Sequence, residues 1–124
     1  MTELTKNGDS LFREEFYGTF FKSSPIAVLE AEYEFKRKYA LGESDGSLAE
    51  FYKLLDIEPP KESLQIGWNY DYMQIEWETL WIDFIHRPKI TKEGVPYTEI
   101  YYPIPPVSLY YDADTAYHFS TEVQ

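Results

Sequence analysis

The stretch that decides the fold is FYGTFFKSSPIAVLEAEYEFKRKYALG, residues 16–42. Its first part predicts a β-hairpin, because Gly18 supplies the positive φ that a tight turn between two strands requires. Its second part predicts a helix over residues 25–41, since Ser24 can cap the first amides and Pro25 suits the first helical position. This stretch therefore predicts a short hairpin followed by a helix.

The strands of the hairpin are predicted at residues 11–16 and 19–22. In the helix, large apolar residues recur at the spacing of one helical face, so we expect that face to pack on the core. This face comprises Ile26, Leu29 and Tyr33, widened by Val28, Phe35 and Tyr39. Gly42 follows as a natural helix terminator.

A second, shorter helix is predicted from Ser47 to Leu55. Ser47 and Glu50 have the spacing of a capping box, in which each side chain binds a backbone amide at the start of the helix. Two consecutive prolines, at 59 and 60, prevent the helix from continuing.

The remainder of the sequence predicts strands and turns. Alternating apolar residues favour strands at 80–85 and 97–102, and a further strand at 72–77. Residues 87–95 are interpreted as an extended hairpin connection. Pro103, Pro105 and Pro106 then end the sheet, because proline cannot donate a hydrogen bond to it.

These elements predict an α+β protein: an N-terminal short hairpin, two helices, then a mainly antiparallel sheet. Its 124 residues suit a single domain, 1–124, with residues 1–10 and 113–124 as loose termini. The absence of cysteine removes disulfides, thiolate nucleophiles and thiolate metal ligands. No segment could span a membrane, so we expect a cytoplasmic protein without membrane insertion.

The formal net charge of −11 is unevenly distributed. Residues 1–42 hold 6 Lys/Arg and 7 Asp/Glu, whereas residues 43–124 hold 5 and 15. Direct nucleic-acid binding is disfavoured, because it depends on basic patches that release counterions. A basic protein partner is one expectation, and acidity that only keeps the domain soluble is the other.

No pattern of catalytic, cofactor or metal-binding residues stands out, so we expect a non-enzymatic protein without cofactors. His86 and His118 are the only histidines, and neither has further ligands at zinc-site spacing. Asp83 and Glu99, with Glu76 and Glu78 near them, could form the acid pair of a glycosidase. Because the chain has 22 acidic residues, chance proximity on a solvated strand explains the same pattern.

Aromatic and proline residues form the more suggestive candidate surface, since rigid rings on a restricted backbone anchor protein interfaces well. The candidate interaction residues are Tyr97, Tyr101, Tyr102, Pro105, Tyr110 and Tyr111. Packing within the core is the equally weighted alternative for these rings. Gly67 and Trp68 are interpreted as structural, with the glycine allowing a close backbone approach and the indole filling the seam between helices and sheet.

Several short motifs, taken together and in order, resemble an uncharacterised family encoded by phages, prophages and other mobile elements. The matching segments are FYGTFFKS (16–23), SLAEFY (47–52), LDI (55–57), GWN (67–69), IDF (82–84), EGVP (93–96) and PIPPVSLY (103–110). The resemblance covers roughly residues 11–112 and implies no catalytic residues.

This chain departs from that family in two respects. Many members carry a hydrophobic membrane-anchoring region before the domain, which is absent here, and residues 70–79 form a longer link than usual. The resemblance therefore implies the domain without its anchor.

The leading functional hypothesis is a phage- or mobile-element-encoded module that acts by surface contact with a protein partner. The alternatives are an acidic nucleic-acid mimic that inhibits a host defence nuclease, and a virion or assembly accessory protein.

Overall fold

The computed structural model describes residues 9–110 and contains a four-stranded sheet of order β2-β1-β5-β4. The strands are β1 (Ser10–Glu14), β2 (Thr19–Ser23), β4 (Ile85–Ile90) and β5 (Pro96–Tyr101). β1 pairs antiparallel with β2 and parallel with β5, and β4 pairs antiparallel with β5. The predicted α+β class with a mainly antiparallel sheet is confirmed.

The hairpin between β1 and β2 turns through four residues, 15–18, with Gly18 at φ +72°. The predicted first strand was two residues too long at its end, because residues 15 and 16 belong to the turn. Two backbone amides of this turn, Phe16 N and Tyr17 N, donate to the Glu14 carboxylate at 2.9 and 3.0 Å. The turn is therefore tied to the strand that precedes it.

Helix α1 (Pro25–Ala40) begins at Ser24, whose Oγ accepts a hydrogen bond from Ala27 N at 3.1 Å. Its core-facing side agrees with the predicted one in Val28, Phe35 and Tyr39 only. The buried residues are Val28, Ala31, Glu32, Phe35 and Tyr39, whereas Ile26, Leu29 and Tyr33 are exposed. The helix is apolar on two sides, and the side that carries Val28, Phe35 and Tyr39 is the one that packs on the core.

Helix α2 (Leu48–Leu54) begins at Ser47, whose Oγ accepts a hydrogen bond from Glu50 N at 3.2 Å. The second half of the expected capping box is made by other residues. Ser47 N donates to Asp45 Oδ1 at 2.9 Å, and the Glu50 carboxylate accepts from Ser44 Oγ at 2.6 Å. The loop before α2 therefore supplies the hydrogen bonds that complete the cap at the start of the helix.

The strand predicted at residues 72–77 is wrong. Helix α3 (Tyr70–Tyr72) begins at Asn69, whose Oδ1 accepts hydrogen bonds from the backbone amides of Asp71 and Tyr72. It continues into a π-helical turn, Met73–Trp77. The strand predicted at 80–85 is also wrong: residues 78–84 have no regular structure, although Ile82 is buried. The alternating apolar residues Leu80, Ile82 and Phe84 pack on the core without forming a strand.

The connection predicted at 87–95 is shorter than expected, because residues 87–90 belong to β4 and only residues 91–95 form the turn, which is closed by a hydrogen bond from Gly94 N to Thr91 O (2.9 Å). A two-stranded sheet pairs β3 (Ile66–Gly67) with β6 (Val107–Ser108). A 3₁₀ helix, Lys61–Gln65, precedes β3. Within the described residues, no helix is long and apolar enough to cross a membrane.

Trp68 lies at the centre of the core, fully buried, with its Nε1 donating to Ile104 O at 2.8 Å. Its ring contacts those of Phe35, Phe84 and Tyr102. The preceding Gly67 lies so close to the loop before α2 that a Cβ there would be 2.0 Å from Gly46 O. Glycine is required at this position because backbone meets backbone.

Candidate functional site

The structure separates the aromatic and proline residues that the sequence singled out. Tyr97 and Tyr101 lie half-buried on β5, whereas Tyr102 is buried in the core, so its assignment to an interaction surface is wrong. Tyr102 directly follows Tyr101 in extended backbone, where consecutive side chains point to opposite faces.

The other candidates lie elsewhere. Pro105 is exposed in a shallow groove that also involves Phe16 and Tyr101. Tyr110, 75% exposed, borders a different groove, beside Leu64 and Tyr70. Tyr111 lies outside the described residues. Tyr97 and Tyr101 therefore belong to one surface, and Tyr110 to another.

The face of the sheet that points away from the buried core is the surface that holds Tyr97 and Tyr101, and we call it the open face. Its strand residues are Leu11, Arg13, Phe20, Lys22, Ile85, Arg87, Lys89, Tyr97, Glu99 and Tyr101, as the registers of the paired strands show. Four of these ten are cations and one is an acid. The open face is thus locally basic in an acidic chain.

Glu99 is almost fully buried in the middle of the open face. Its Oε2 lies 2.5 Å from Arg13 Nη1 and its Oε1 lies 3.3 Å from Lys89 Nζ. A carboxylate with so little water contact requires partners of opposite charge, and these two cations provide them. Glu99 is therefore satisfied within the fold.

Arg87 has a different environment, because its guanidinium carbon lies 3.7 Å from the centre of the Tyr101 ring. No carboxylate in the described part of the chain forms an ion pair with Arg87. Stacking on the ring uses one flat side of the guanidinium and leaves the N–H groups at its edge available. The Tyr101 ring thus orients the Arg87 side chain, and no ion pair within the described residues neutralises its charge.

Phe20 and Tyr97 complete the aromatic part of the open face. Their rings meet edge to face at 5.1 Å, and the Arg13 guanidinium carbon lies 5.8 Å from the Phe20 ring centre. Rings and cations are therefore interspersed on the open face. Aromatic residues and arginine are both enriched at protein interfaces.

The acid pair considered from the sequence is not assembled. Asp83 is exposed in the irregular segment before β4, and the residue opposite Glu99 is Arg87. Glu76 and Glu78 are exposed at the end of the π-helical turn. Among residues 9–110, no group of three or more His, Asp or Glu side chains could hold a metal ion.

Glu14 is a fully buried carboxylate for which the sequence analysis offered no role. Besides the two turn amides, it accepts hydrogen bonds from Tyr52 Oη and Tyr102 Oη, both at 2.5 Å. Burial, reinforced by the Glu14 carboxylate, raises the pKa of both phenols well above the usual value. Both tyrosines thus remain donors, and the cluster holds the β1–β2 turn against α2 and β5.

The sequence carried one signal of the Glu14 cluster. Glu14 follows Phe12 by two residues on β1, and because residues two apart in a strand point to the same face, its carboxylate lies on the core-facing side. Because its partners lie 38 and 88 residues away, the sequence alone could not identify them.

His86 on β4 forms a second, partly buried polar contact, with Nε2 lying 2.6 Å from Glu32 Oε2 of α1. The hydrogen bond to Glu32 raises the pKa of His86 above its usual range. Since both groups are satisfied by each other, this pair joins the helix to the sheet. The other histidine, His118, lies outside the described residues.

The fold and the open face define a small α+β domain with a charged aromatic sheet surface. A family of unknown function (DUF6353) matches residues 1–111, and the chain belongs to this family. No curated protein matched the chain. No solved structure matched it either.

Proposed function

We propose that this protein is a non-enzymatic protein-interaction module that binds an acidic segment of a partner protein on its open face. The observation that supports this most directly is Arg87, which is exposed, stacked on Tyr101 and without a carboxylate partner among the described residues. The open face also carries Lys89 on the same strand, Arg13 two strands away and Lys22 on the opposite edge strand.

The chemistry of a stacked guanidinium favours a carboxylate as its ligand. The planar fork of N–H donors matches the two oxygens of an Asp or Glu side chain. The Tyr101 ring restricts the Arg87 side chain in advance, so less conformational entropy is lost on binding. A charge-assisted hydrogen bond of this kind contributes about 1.5–3 kcal/mol.

This proposal departs from the expectation of a basic partner, which rested on the net charge. The open face has four cations to one acid, and that acid is already paired with Arg13 and Lys89. Because salt screens charges over roughly 10 Å, the local balance governs direct contact more than the net charge of −11 does.

The origin and location belong to the same proposal. The resemblance of residues 16–23 and the following motifs implies a protein of a phage, prophage or other mobile element. The absence of cysteine suits the reducing cytoplasm of a bacterial host. An acidic-segment binder is compatible there with an adaptor that recruits a host or phage protein.

The test is a selection from a random displayed peptide library against the immobilised full chain. We expect the enriched peptides to be rich in Asp and Glu. We expect Arg87→Gln to weaken the best peptide about tenfold or more, and Arg87→Lys to restore only part of the loss, since lysine lacks the planar fork.

The matched control is Lys53→Gln, which removes an exposed cation of α2 outside the open face and should leave peptide affinity unchanged. Enrichment of peptides without acidic residues would contradict the proposal. Equal affinity of Arg87→Gln and wild type would contradict it as well.

A further inference from the structure

The outer side of α1 carries large apolar side chains that no described residue covers. Ile26, Leu29 and Tyr33 are 69%, 55% and 61% exposed, and Leu41, which ends the helix, is 60% exposed. Their spacing places them along one side of the helix over most of its length. Ile26, Leu29 and Tyr33 form a contiguous exposed apolar strip, from which Arg37 separates Leu41. An exposed apolar strip of this kind marks an interaction site.

Charged residues lie beside this strip in a particular order along the helix. Glu30 and Glu34 lie towards its beginning and middle, and Arg37 lies towards its end. Glu34 pairs with Arg37 within the helix at 2.8 Å, whereas Glu30 has no ion-pair partner in the described part of the chain. On the outer side of the helix, acidic residues therefore precede the basic residue along the chain.

We propose that α1 pairs in antiparallel orientation with α1 of a second copy of this chain. A two-fold axis through the middle of the helix, between Tyr33 and Glu34, places Leu29 level with Lys38 of the second copy and Tyr33 level with its Glu34. Ile26 then lies opposite Leu41 of the second copy. Glu30 lies opposite Arg37 of the second copy.

The charge order makes a second copy the occupant that fits. In a two-fold arrangement each contact forms twice, so two apolar pairs and two Glu30–Arg37 pairs result from one helix. An arginine has five N–H donors, so Arg37 can keep Glu34 and also bind Glu30 of the second copy. Parallel pairing would instead bring Glu30 next to Glu30.

The contact area sets the expected strength. A 16-residue helix is about 24 Å long, and stable interfaces commonly bury about 800 Å² on each partner. One pair of helices provides less than that. The dimer is therefore weak, with a dissociation constant in the micromolar range or above.

The experiment is sedimentation equilibrium of the full chain over a concentration series. We expect a monomer–dimer equilibrium for wild type. Glu30→Arg and Arg37→Glu should each weaken the dimer, by about tenfold or more, because each places like charges opposite one another twice. The double variant, with both changes in one chain, should restore it.

Ile26→Glu should abolish dimerisation, because it places a carboxylate opposite Leu41 twice, whereas Leu64→Glu, at a similarly exposed leucine of the 3₁₀ helix, should have no effect. Circular dichroism checks that every variant keeps its helices. A wild-type chain that stays monomeric overturns the proposal. A double variant weaker than both single variants overturns the antiparallel register. Arg87→Gln should not change the dimer, so this test is independent of acidic-peptide binding.

Discussion

At the scale of single residues, Glu14 shows how a buried charge is retained without a cation. Two amides of the turn and two tyrosine hydroxyls converge on its two oxygens. Each hydrogen bond to a charged group is worth about 1.5–3 kcal/mol, and a missing donor leaves the carboxylate undersatisfied. Two donors come from the turn, one from α2 and one from the residue after β5, so one side chain of β1 joins the hairpin to the rest of the fold.

The contribution of Tyr102 to this cluster can be measured directly. We expect Tyr102→Phe to lower the free energy of unfolding by about 2 kcal/mol, because it removes one donor from a buried carboxylate while keeping the ring. Urea denaturation followed by fluorescence gives the value. Tyr110→Phe is the matched control, since that tyrosine is 75% exposed. Equal losses in the two variants would refute a special role for the Tyr102 hydroxyl.

At the scale of elements, helix α1 shows why periodicity did not identify the buried side. Ile26, Leu29 and Tyr33 satisfy the pattern of a core-facing stripe as well as Val28, Phe35 and Tyr39 do. The position of β4 decides between them, because His86 meets Glu32 on the side that carries Phe35. The sequence contained both stripes, and only a tertiary contact distinguishes them.

The pair of Glu32 and His86 predicts a pH dependence of stability. The pKa of His86 is raised in the folded state, so its contribution is fully present below the unfolded value of about 6.5. The contribution is lost as the pH rises through the folded pKa. We therefore expect the free energy of unfolding to fall from about pH 6 upwards.

The variant His86→Gln isolates this effect, because glutamine can still donate a hydrogen bond to Glu32 but does not titrate. The stability difference between wild type and His86→Gln should be largest near pH 6 and should shrink at higher pH. Denaturation curves at several pH values measure it, and other titrating groups cancel in the difference. A difference that is constant with pH would be evidence against the pair.

At the scale of the whole molecule, charge is segregated. The open face is locally basic, while the chain as a whole carries a formal charge of −11. Net charge governs long-range encounter, and local charge governs contact. The same protein can therefore repel acidic molecules at a distance and hold an acidic segment once it is in place.

The net charge makes a prediction for the proposed dimer. Two copies repel one another, and salt screens this repulsion over a distance that shortens from about 30 Å at 0.01 M to about 10 Å at 0.1 M. We expect the dissociation constant to decrease when NaCl rises from about 20 to about 200 mM. Sedimentation at both concentrations measures it. Weaker association in salt would indicate that the Glu30–Arg37 pairs outweigh the net repulsion.

The elements whose ends are set by local chemistry could be predicted from the amino-acid sequence. The hairpin at Gly18, the start of α1 at Ser24 and Pro25, and the start of α2 at Ser47 each depend on contacts within a few residues. Such contacts can be recognised from spacing alone.

Only the tertiary structure decided which side of α1 is buried, that Tyr102 belongs to the core, and that β1 lies beside β5. These outcomes depend on partners far away in sequence: β1 pairs with β5 across more than 80 residues, and Tyr102 meets Glu14 at a separation of 88. The candidate site follows the same division. Tyr97 and Tyr101 could be named as candidates from the sequence. That they share one face with Arg87 follows from the pairing of β4 with β5.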